Sequence, residues 1–374
     1  MKILVTSDLH LSDRIWRHYP IEGDSYHSWN QIVDLAINHS VDAIILAGDI
    51  LDKQQNLSYP IQNLLAGIHR LQTAAISVYY TQGQHEYQQR PWMDADPDTH
   101  WLNHEDLVTP TGWRIVGCDY KDHDNFQSFL SSDRAKSADI LVCHQVWKDF
   151  MGDIGKPQGE FADIPPNVKV LITGDYHEHI CQKFADLIVL SPGSTHMRSI
   201  SEPEEHSVFL LNLSDKSNKP KIKSIPLVTR RCLHVDTRSF PDFKALKKQV
   251  ESFLGYASSY AAENKLPEDL KMPLIHLTHS VSEMDLMRQF ETTFNFLGHL
   301  FFRQVTSKSE DSLNVIDFLD AQDRVNLIDC LDQFVDEKAQ PLIHSLALSL
   351  LRANDDQEQA LHRWIKEHSD SSSK

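Results

Sequence analysis

The sequence is poor in cysteine and has no long apolar run. Five of its 374 residues are cysteines; they are scattered and odd in number, and no CxxC pair occurs. This excludes a disulfide framework and a thiolate zinc site, and it favours a reducing, cytoplasmic location. No run approaches the ~18 apolar residues of a membrane span, and no basic region followed by an apolar stretch marks a signal peptide. We therefore expect no membrane association.

Basic residues are also in short supply. Lys and Arg number 36 against 53 Asp and Glu, which gives a formal net charge of −17. A protein that holds long stretches of nucleic acid alone normally presents a basic surface, so this composition disfavours such a protein. If the substrate is a polyanion, we expect bound metal ions or a partner protein to hold part of it. The 41% share of hydrophobic residues allows a well-buried core.

The first half of the chain alternates short apolar runs with amphipathic segments. Apolar runs predict strands at residues 3–6, 43–47, 76–80, 113–117, 139–143 and 168–173. Helices are predicted to begin near Ser28 and near Tyr59, because the apolar residues that follow recur at helical spacing. This alternation is typical of an α/β fold. We expect antiparallel strands of a second sheet at residues 187–190, 206–213 and 221–225.

The pattern changes near Pro226. The next segment, residues 240–305, is predicted to fold as helix, strand, helix, strand, which makes a small α+β domain. A polar linker and two or three apolar-faced helices follow. We expect four parts: a first domain at residues 1–231, the small α+β domain at 232–306, a helical segment at 314–366 and a disordered tail at 367–374.

Side chains with metal-binding groups follow five of the predicted strands. The motifs are Asp8-x-His10, Gly48-Asp49, Gly83-Gln84-His85-Glu86, His144 and Gly174-Asp175-Tyr176-His177. Because the carboxyl ends of parallel strands lie at one edge of a sheet, these side chains should meet there. Carboxylates, imidazoles and an amide can together hold two divalent ions about 3.5–4 Å apart, with one carboxylate bridging them. Such a pair of ions is suited to hydrolysis of phosphodiesters.

The order of these motifs resembles the calcineurin-like metallophosphoesterases. Members carry Asp-x-His, Gly-Asp, Gly-Asn-His-Asp/Glu, a lone His and Gly-His-x-His in this order, and the match spans residues 6–179. The resemblance implies an α/β fold with a four-layer α-β-β-α sandwich, and hydrolysis that uses two divalent metals, manganese or alternatively magnesium. Two positions depart from the pattern. Gln84 replaces Asn and Asp175 replaces the first His of the last motif, and both keep an oxygen that can bind a metal.

The resemblance also implies a role for each residue. We expect one metal to be held by Asp8, His10, Asp49 and His177, and the other by Asp49, Gln84, His144 and Asp175. Asp49 then bridges the two ions, and His85 faces the phosphate as proton donor or transition-state stabiliser. These two are the candidate catalytic residues. An alternative register takes His177-x-His179 as the final pair, which makes His179 an alternative ligand.

Later segments resemble the SbcD-type DNA repair exonuclease subunit of that superfamily. The similar segments are Leu190 to Thr195, Arg198 to Glu202 and Ile225 to Arg231. The resemblance implies a nuclease that acts on DNA as a homodimer, with an α+β capping domain that binds DNA. It also implies that the C-terminal helices bind an SbcC-like, SMC-type ATPase. Candidate substrate-binding residues are Arg14 and Arg198.

Two other functions fit the same residues. A stand-alone phosphodiesterase or phosphatase that acts on nucleotides or phosphoproteins would suit the acidic composition. A scaffold of the same complex with a weakened metal site would account for Gln84 and Asp175.

Overall fold

The structure is a computed structural model that describes residues 1–12, 23–52, 58–88, 91, 93, 96, 98–152, 156–199, 202–216, 219–280 and 284–305. In chain order the described strands are β1 (Lys2–Thr6), β2 (Ala43–Ala47), β3 (Ser77–Thr81), β4 (Thr99–Trp101), β5 (Leu107–Val108), β6 (Arg114–Cys118), β7 (Ile140–His144), β8 (Val170–Gly174), β9 (Ile180–Phe184), β10 (Leu187–Ser191), β11 (Ser207–Asn212), β12 (Lys221–Pro226), β13 (Cys232–Asp236), β14 (Leu274–Ser280) and β15 (His299–Val305). The described α-helices are α1 (Asp24–Asn38), α2 (Ser58–Thr73), α3 (His123–Leu130), α4 (Asp133–Lys136), α5 (Lys148–Met151), α6 (Phe243–Glu263), α7 (Glu268–Lys271) and α8 (Met284–Phe294). Arg14, the predicted helical segment at 314–366 and the tail at 367–374 lie outside the described residues.

Two six-stranded mixed sheets make up the larger part of the fold. The first has the spatial order β12-β11-β1-β2-β3-β4 and the second has the order β5-β6-β7-β8-β10-β9. Strands β1 to β4 are parallel to one another, and so are β6, β7, β8 and β10. Six of these parallel strands, β1, β2, β3, β6, β7 and β8, match the predicted apolar runs to within two residues at either end. Strand β4 was not predicted, because its three residues lie in a segment too polar to suggest a buried strand.

The prediction that residues 187–190, 206–213 and 221–225 form one second sheet is wrong. Residues 187–190 lie in β10, which pairs with β8 in the second sheet, whereas β11 and β12 belong to the first sheet. The chain crosses between the sheets after β10, and β11 then pairs antiparallel with β1. The position suits its sequence, because Val208 packs on one face of the first sheet while Phe209 and Leu211 pack on the other.

The sheets are stacked face to face, with helices on both outer faces. The core between them joins Ile3 and Ile45 of the first sheet to Val142 and Ile172 of the second. The outer face of the first sheet packs against α1 and α2, where Trp29 is fully buried. The outer face of the second sheet packs against α3 and the aromatic residues around Trp147. These are the four layers, α-β-β-α, that the resemblance predicts.

A small parallel sheet follows, in the order β13-β14-β15. It packs against α6 and α8 through Val250, Leu277 and Phe290. The predicted order of helix, strand, helix and strand is found at 243–305, and β13 is an additional strand. The guanidinium of Arg230 joins this part to the first, because it donates to the carboxylate of Asp24 on α1 and to the carbonyl of Met272. None of the described helices is long and apolar enough to cross a membrane.

Candidate metal centre

The carboxyl ends of strands from both large sheets meet at one edge of the sandwich. Strands β1, β2 and β3 lead into the first three motifs, and β7 and β8 lead into the other two. The contact between the two sets is direct, because Nδ1 of His144 lies 2.9 Å from the carbonyl oxygen of Ala47 at the end of β2. The predicted side chains brought together here are Asp8, His10, Asp49, Gln84, His85, His144, Asp175 and His177.

Several of these side chains stand on strained backbone. The φ angles are 50° at Asp8, 40° at His10, 49° at Asp49 and 79° at Asp175. The left-handed region costs a non-glycine residue on the order of 1 kcal/mol or more, and such residues concentrate at functional sites. Gly48 is required for a related reason: its φ is 83°, and a Cβ at this position would overlap the ring of His144. The backbone of these turns therefore adopts the conformations that bring the side chains close together.

Asp8, His10 and His177 form one compact group of donors. The Oδ1 atom of Asp8 lies 3.7 Å from Nε2 of His10 and 3.6 Å from Nε2 of His177. The Oδ2 atom of Asp49 lies 3.6 Å from the same nitrogen of His10. Two donors that bind one divalent ion at about 2.0–2.3 Å are separated by roughly 3–4 Å. The spacing within this group therefore fits a first metal ion.

Asp49 also takes part in a second group. Nε2 of His144 lies 3.3 Å from Oδ2 of Asp49 and 3.8 Å from Oδ1 of Asp175. The amide nitrogen of Gln84 donates a hydrogen bond to Oδ1 of Asp175, so the amide oxygen is the free end of this side chain. That oxygen is buried and has no hydrogen-bond partner among the described residues, while the buried Nε2 of His144 faces the carboxylates of Asp49 and Asp175. A buried oxygen without a partner, beside an imidazole nitrogen and two carboxylates, fits a second metal ion.

The carboxylates raise the pKa of two of the neighbouring imidazoles, those of His144 and His177. Burial opposes the charged form of His144, but Asp49, Asp8 and Asp175 together raise its pKa well above the usual value. Burial likewise opposes a charge on His177, yet Glu202 and Asp8 raise its pKa. His10 behaves differently, because burial and the nearby Arg198 hold its pKa well below the usual range.

His85 is held by a carboxylate that the sequence prediction did not include. Nδ1 of His85 lies 2.8 Å from Oδ1 of Asp52, and Nε2 lies 3.8 Å from Oδ2 of Asp49. The backbone N–H of His85 donates to Oδ1 of Asp49 at 3.0 Å. Asp52 follows Asp49 by three residues in the same loop, so a second carboxylate in the Gly48-Asp49 motif was the signal that could have identified it.

Glu202 is the second residue that the prediction missed. Its Oε1 accepts a hydrogen bond from Nδ1 of His177 at 2.6 Å, and its Oε2 accepts one from the backbone N–H of Arg198 at 2.8 Å. A carboxylate on the outer nitrogen orients a ligating histidine and fixes its tautomer. No spacing rule links Glu202 to His177, because a whole β-hairpin separates them in sequence.

The remaining predicted site residues have different positions. His179 lies away from the centre: its ring nitrogens contact the carbonyl of Pro192 and the hydroxyl of Ser224, each at 2.9 Å. With both nitrogens engaged, His179 is not placed as an alternative ligand. Arg198 lies at the centre, 2.9 Å from Nε2 of His10.

Comparison with known proteins agrees with this geometry. Residues 1–179 match the family described as calcineurin-like phosphoesterase. This part of the chain is a calcineurin-like metallophosphoesterase domain, and that family implies a phosphoester hydrolase that binds divalent metals.

The chain is also similar in sequence to two proteins that carry the same name. The chain is 25% identical to the DNA double-strand break repair protein Mre11 of Methanosarcina mazei over 267 residues, which are 64% of this chain and 40% of that protein. It is 24% identical to the protein of the same name from Sulfurisphaera tokodaii over 339 residues, which are 84% of this chain and 83% of that protein. The match thus spans less than half the length of the Methanosarcina relative.

Proposed function

We propose that this protein is a two-metal-dependent DNA nuclease that works as an SbcD-like subunit with an SMC-type ATPase. The observation that carries the proposal is the convergence of five strand ends on Asp49, whose Oδ2 lies 3.6 Å from Nε2 of His10 and 3.3 Å from Nε2 of His144. His85 is held beside this carboxylate by Asp52. Support for DNA as the substrate comes from the relatives, which are named as DNA double-strand break repair proteins.

The residues of the two groups would hold one metal each. Asp8, His10 and His177 would bind the first ion, Gln84, His144 and Asp175 the second, and Asp49 would bridge them. When bound, the ions would lower the pKa of a water molecule and neutralise charge on the phosphodiester. The mixture of carboxylate, amide and imidazole donors suits manganese, with magnesium as the alternative.

His85 would donate the proton that the leaving oxygen needs. Its Nδ1 faces Asp52 at 2.8 Å, so a proton held there is kept by the carboxylate. A proton that His85 donates would therefore leave from Nε2, which lies 3.8 Å from Oδ2 of Asp49. Donation by a positioned acid contributes typically about 10²–10⁴-fold in rate. Asp52 keeps the ring in the orientation that this step requires.

Partners are part of the same proposal. The net charge of −17 supports an ATPase partner that supplies much of the binding to DNA. The ATPase would bind through the segment at 314–366, which the sequence predicts to be helical. The capping domain at 232–306 would add a further DNA contact. A homodimer through the helix around Ile61–Leu71 and the segment after Glu86 is proposed from the resemblance alone. A cytoplasmic location is proposed from the scattered, odd-numbered cysteines of the sequence.

The proposal is tested by supplying manganese and DNA with free ends or hairpins, with and without the ATPase. We expect cleavage by the wild type and none by Asp49→Ala or His144→Ala. His123→Ala is a matched control, because this histidine side chain is 62% exposed and lies outside the site. A wild type that binds manganese but leaves every DNA substrate intact, with the ATPase present, contradicts the proposal.

The same preparations separate the other two functions. Turnover on cyclic nucleotides or nitrophenyl esters, with none on DNA, would identify a stand-alone phosphodiesterase. Elemental analysis that finds fewer than one manganese per chain under saturating conditions would identify a scaffold with a weakened site.

A further inference from the structure

Arg198 contacts the metal centre in a way that the proposed function does not explain. One terminal nitrogen, Nη1, lies 2.9 Å from Nε2 of His10, and the other, Nη2, lies 3.2 Å from Oδ1 of Asp52. A guanidinium carries only donors and does not lose its proton in a protein. Nε2 of His10 is therefore the acceptor, and the proton of this neutral ring is on Nδ1.

The nitrogen that accepts from Arg198 is also the one that belongs to the first donor group. Nε2 of His10 lies 3.7 Å from Oδ1 of Asp8 and 3.6 Å from Oδ2 of Asp49. A ring nitrogen of neutral imidazole has a single lone pair, which can accept one hydrogen bond or bind one metal ion. The two uses of Nε2 exclude each other.

We propose that Arg198 and the first metal ion compete for His10, so that this ion binds only when the guanidinium is displaced. The proposal rests on the proposed two-metal function and adds a regulatory residue to it. Displacement need not release Arg198 entirely, because Asp52 can keep Nη2 while Nη1 turns away. The freed Nη1 can then contact a non-bridging oxygen of the phosphodiester, since the side chain is 20% exposed and reachable from solvent. Arg198 thus links metal loading to substrate contact.

Glu202 connects the backbone at Arg198 to His177, another proposed ligand of the first metal. Its backbone N–H donates to Oε2 of Glu202 at 2.8 Å, and Oε1 of the same carboxylate holds His177 at 2.6 Å. Glu202 is buried, with 6% of its surface exposed. One buried carboxylate therefore fixes both the backbone that carries Arg198 and a second ligand of the same metal. The competition is confined to the side chain, while its attachment point stays in place.

The test is a titration of chelator-treated protein with manganese, read by the electron paramagnetic resonance signal of free Mn²⁺, in the absence of DNA. His10→Ala identifies which binding step belongs to this site. We expect Arg198→Met to bind that manganese at least about tenfold more tightly than the wild type, because the lost hydrogen bond involves a charged donor. The other binding step should change much less. Arg198→Gln is a second variant and should shift in the same direction.

Arg70→Met is the matched control for the loss of one positive charge. This arginine pairs with Asp34 on the outside of α1 and α2, and its side chain is 42% exposed. Thermal unfolding checks that each variant is folded. If the wild type binds two manganese ions and Arg198→Met binds the first with unchanged affinity, the competition does not exist, although the nuclease proposal stands. If neither protein binds manganese, both proposals fail.

Discussion

The two positions at which this chain departs from the family pattern contact each other, and one substitution can test that contact. The amide nitrogen of Gln84 donates to Oδ1 of Asp175, and both side chains are mostly buried. Gln84→Glu keeps the size of the side chain, removes the donor and sets a second carboxylate against Asp175. Positions 84 and 175 then repel each other instead of forming a hydrogen bond. We expect the variant to be less stable than the wild type when a chelator is present.

The size of the effect follows from the contact. A hydrogen bond to a charged acceptor contributes about 1.5–3 kcal/mol, and the two like charges add a further penalty of the same sign. We therefore expect the free energy of unfolding to fall by at least about 2 kcal/mol. Divalent metal should recover part of this loss, because both carboxylates can then face a cation and because a ligand that binds only the folded state stabilises it.

Urea unfolding with chelator and with manganese measures both quantities. Gln249→Glu on the exposed face of α6 is the matched control, since it makes the same chemical change away from the site. A Gln84→Glu protein that unfolds like the wild type in chelator would refute the hydrogen bond to Asp175. A loss that manganese deepens instead of reducing would refute the assignment of this pair to a metal.

Three further predictions concern other residues. His85→Gln should lower kcat on DNA by about 10²–10⁴-fold, because the proton donor is lost, while manganese titration gives the wild-type stoichiometry; loss of metal in parallel would contradict the role. Arg230→Met leaves Asp24 without its buried partner and should lower the free energy of unfolding by about 3–5 kcal/mol in urea; a loss well under 1 kcal/mol would contradict the anchoring role. Burial lowers the pKa of His196 to about 4, below the usual value near 6.5, so the unfolded chain binds more protons between these values and stability falls as the pH drops through this range. His196→Gln should reduce that pH-dependent loss by about 3 kcal/mol in unfolding curves from pH 7 to pH 4; unchanged curves would contradict it.

Six of the parallel strands, β1, β2, β3, β6, β7 and β8, were predictable because most of their residues are buried. Runs such as Ala43-Ile44-Ile45-Leu46-Ala47 are apolar throughout, and this marks a strand covered on both sides. The sheet that holds β11 could not be predicted, since its continuous apolar run from Val208 to Leu211 suits either sheet. What assigns β11 to the first sheet is its pairing with β1 over a long separation in sequence, which local patterns do not encode.

The site was predictable as far as its residues followed strands. Asp8, Asp49 and His144 each come directly at or after a buried run, and the parallel arrangement brings them together. Asp52 and Glu202 could not be assigned in the same way, because their roles depend on contacts with His85 and His177 that only the folded chain creates. The contact between Gln84 and Asp175 is of the same kind. Their residue types predicted that Gln84 and Asp175 each offer an oxygen to a metal. Only the structure shows that the two side chains are hydrogen-bonded to each other.

Charge explains how an acidic chain can form such a site. Asp8 and Asp49 are almost completely buried, and carboxylates in that position need positive charge close by. In this structure the charge is supplied by His144 and His177, whose pKa values the carboxylates raise, and by Arg198. Divalent ions would bring the same charge to the same atoms, displacing protons from the two imidazoles and the guanidinium from His10. The negative charge of the carboxylates is therefore balanced both with and without metal. The divalent ions and the guanidinium of Arg198 are also the positive groups that would face the phosphate.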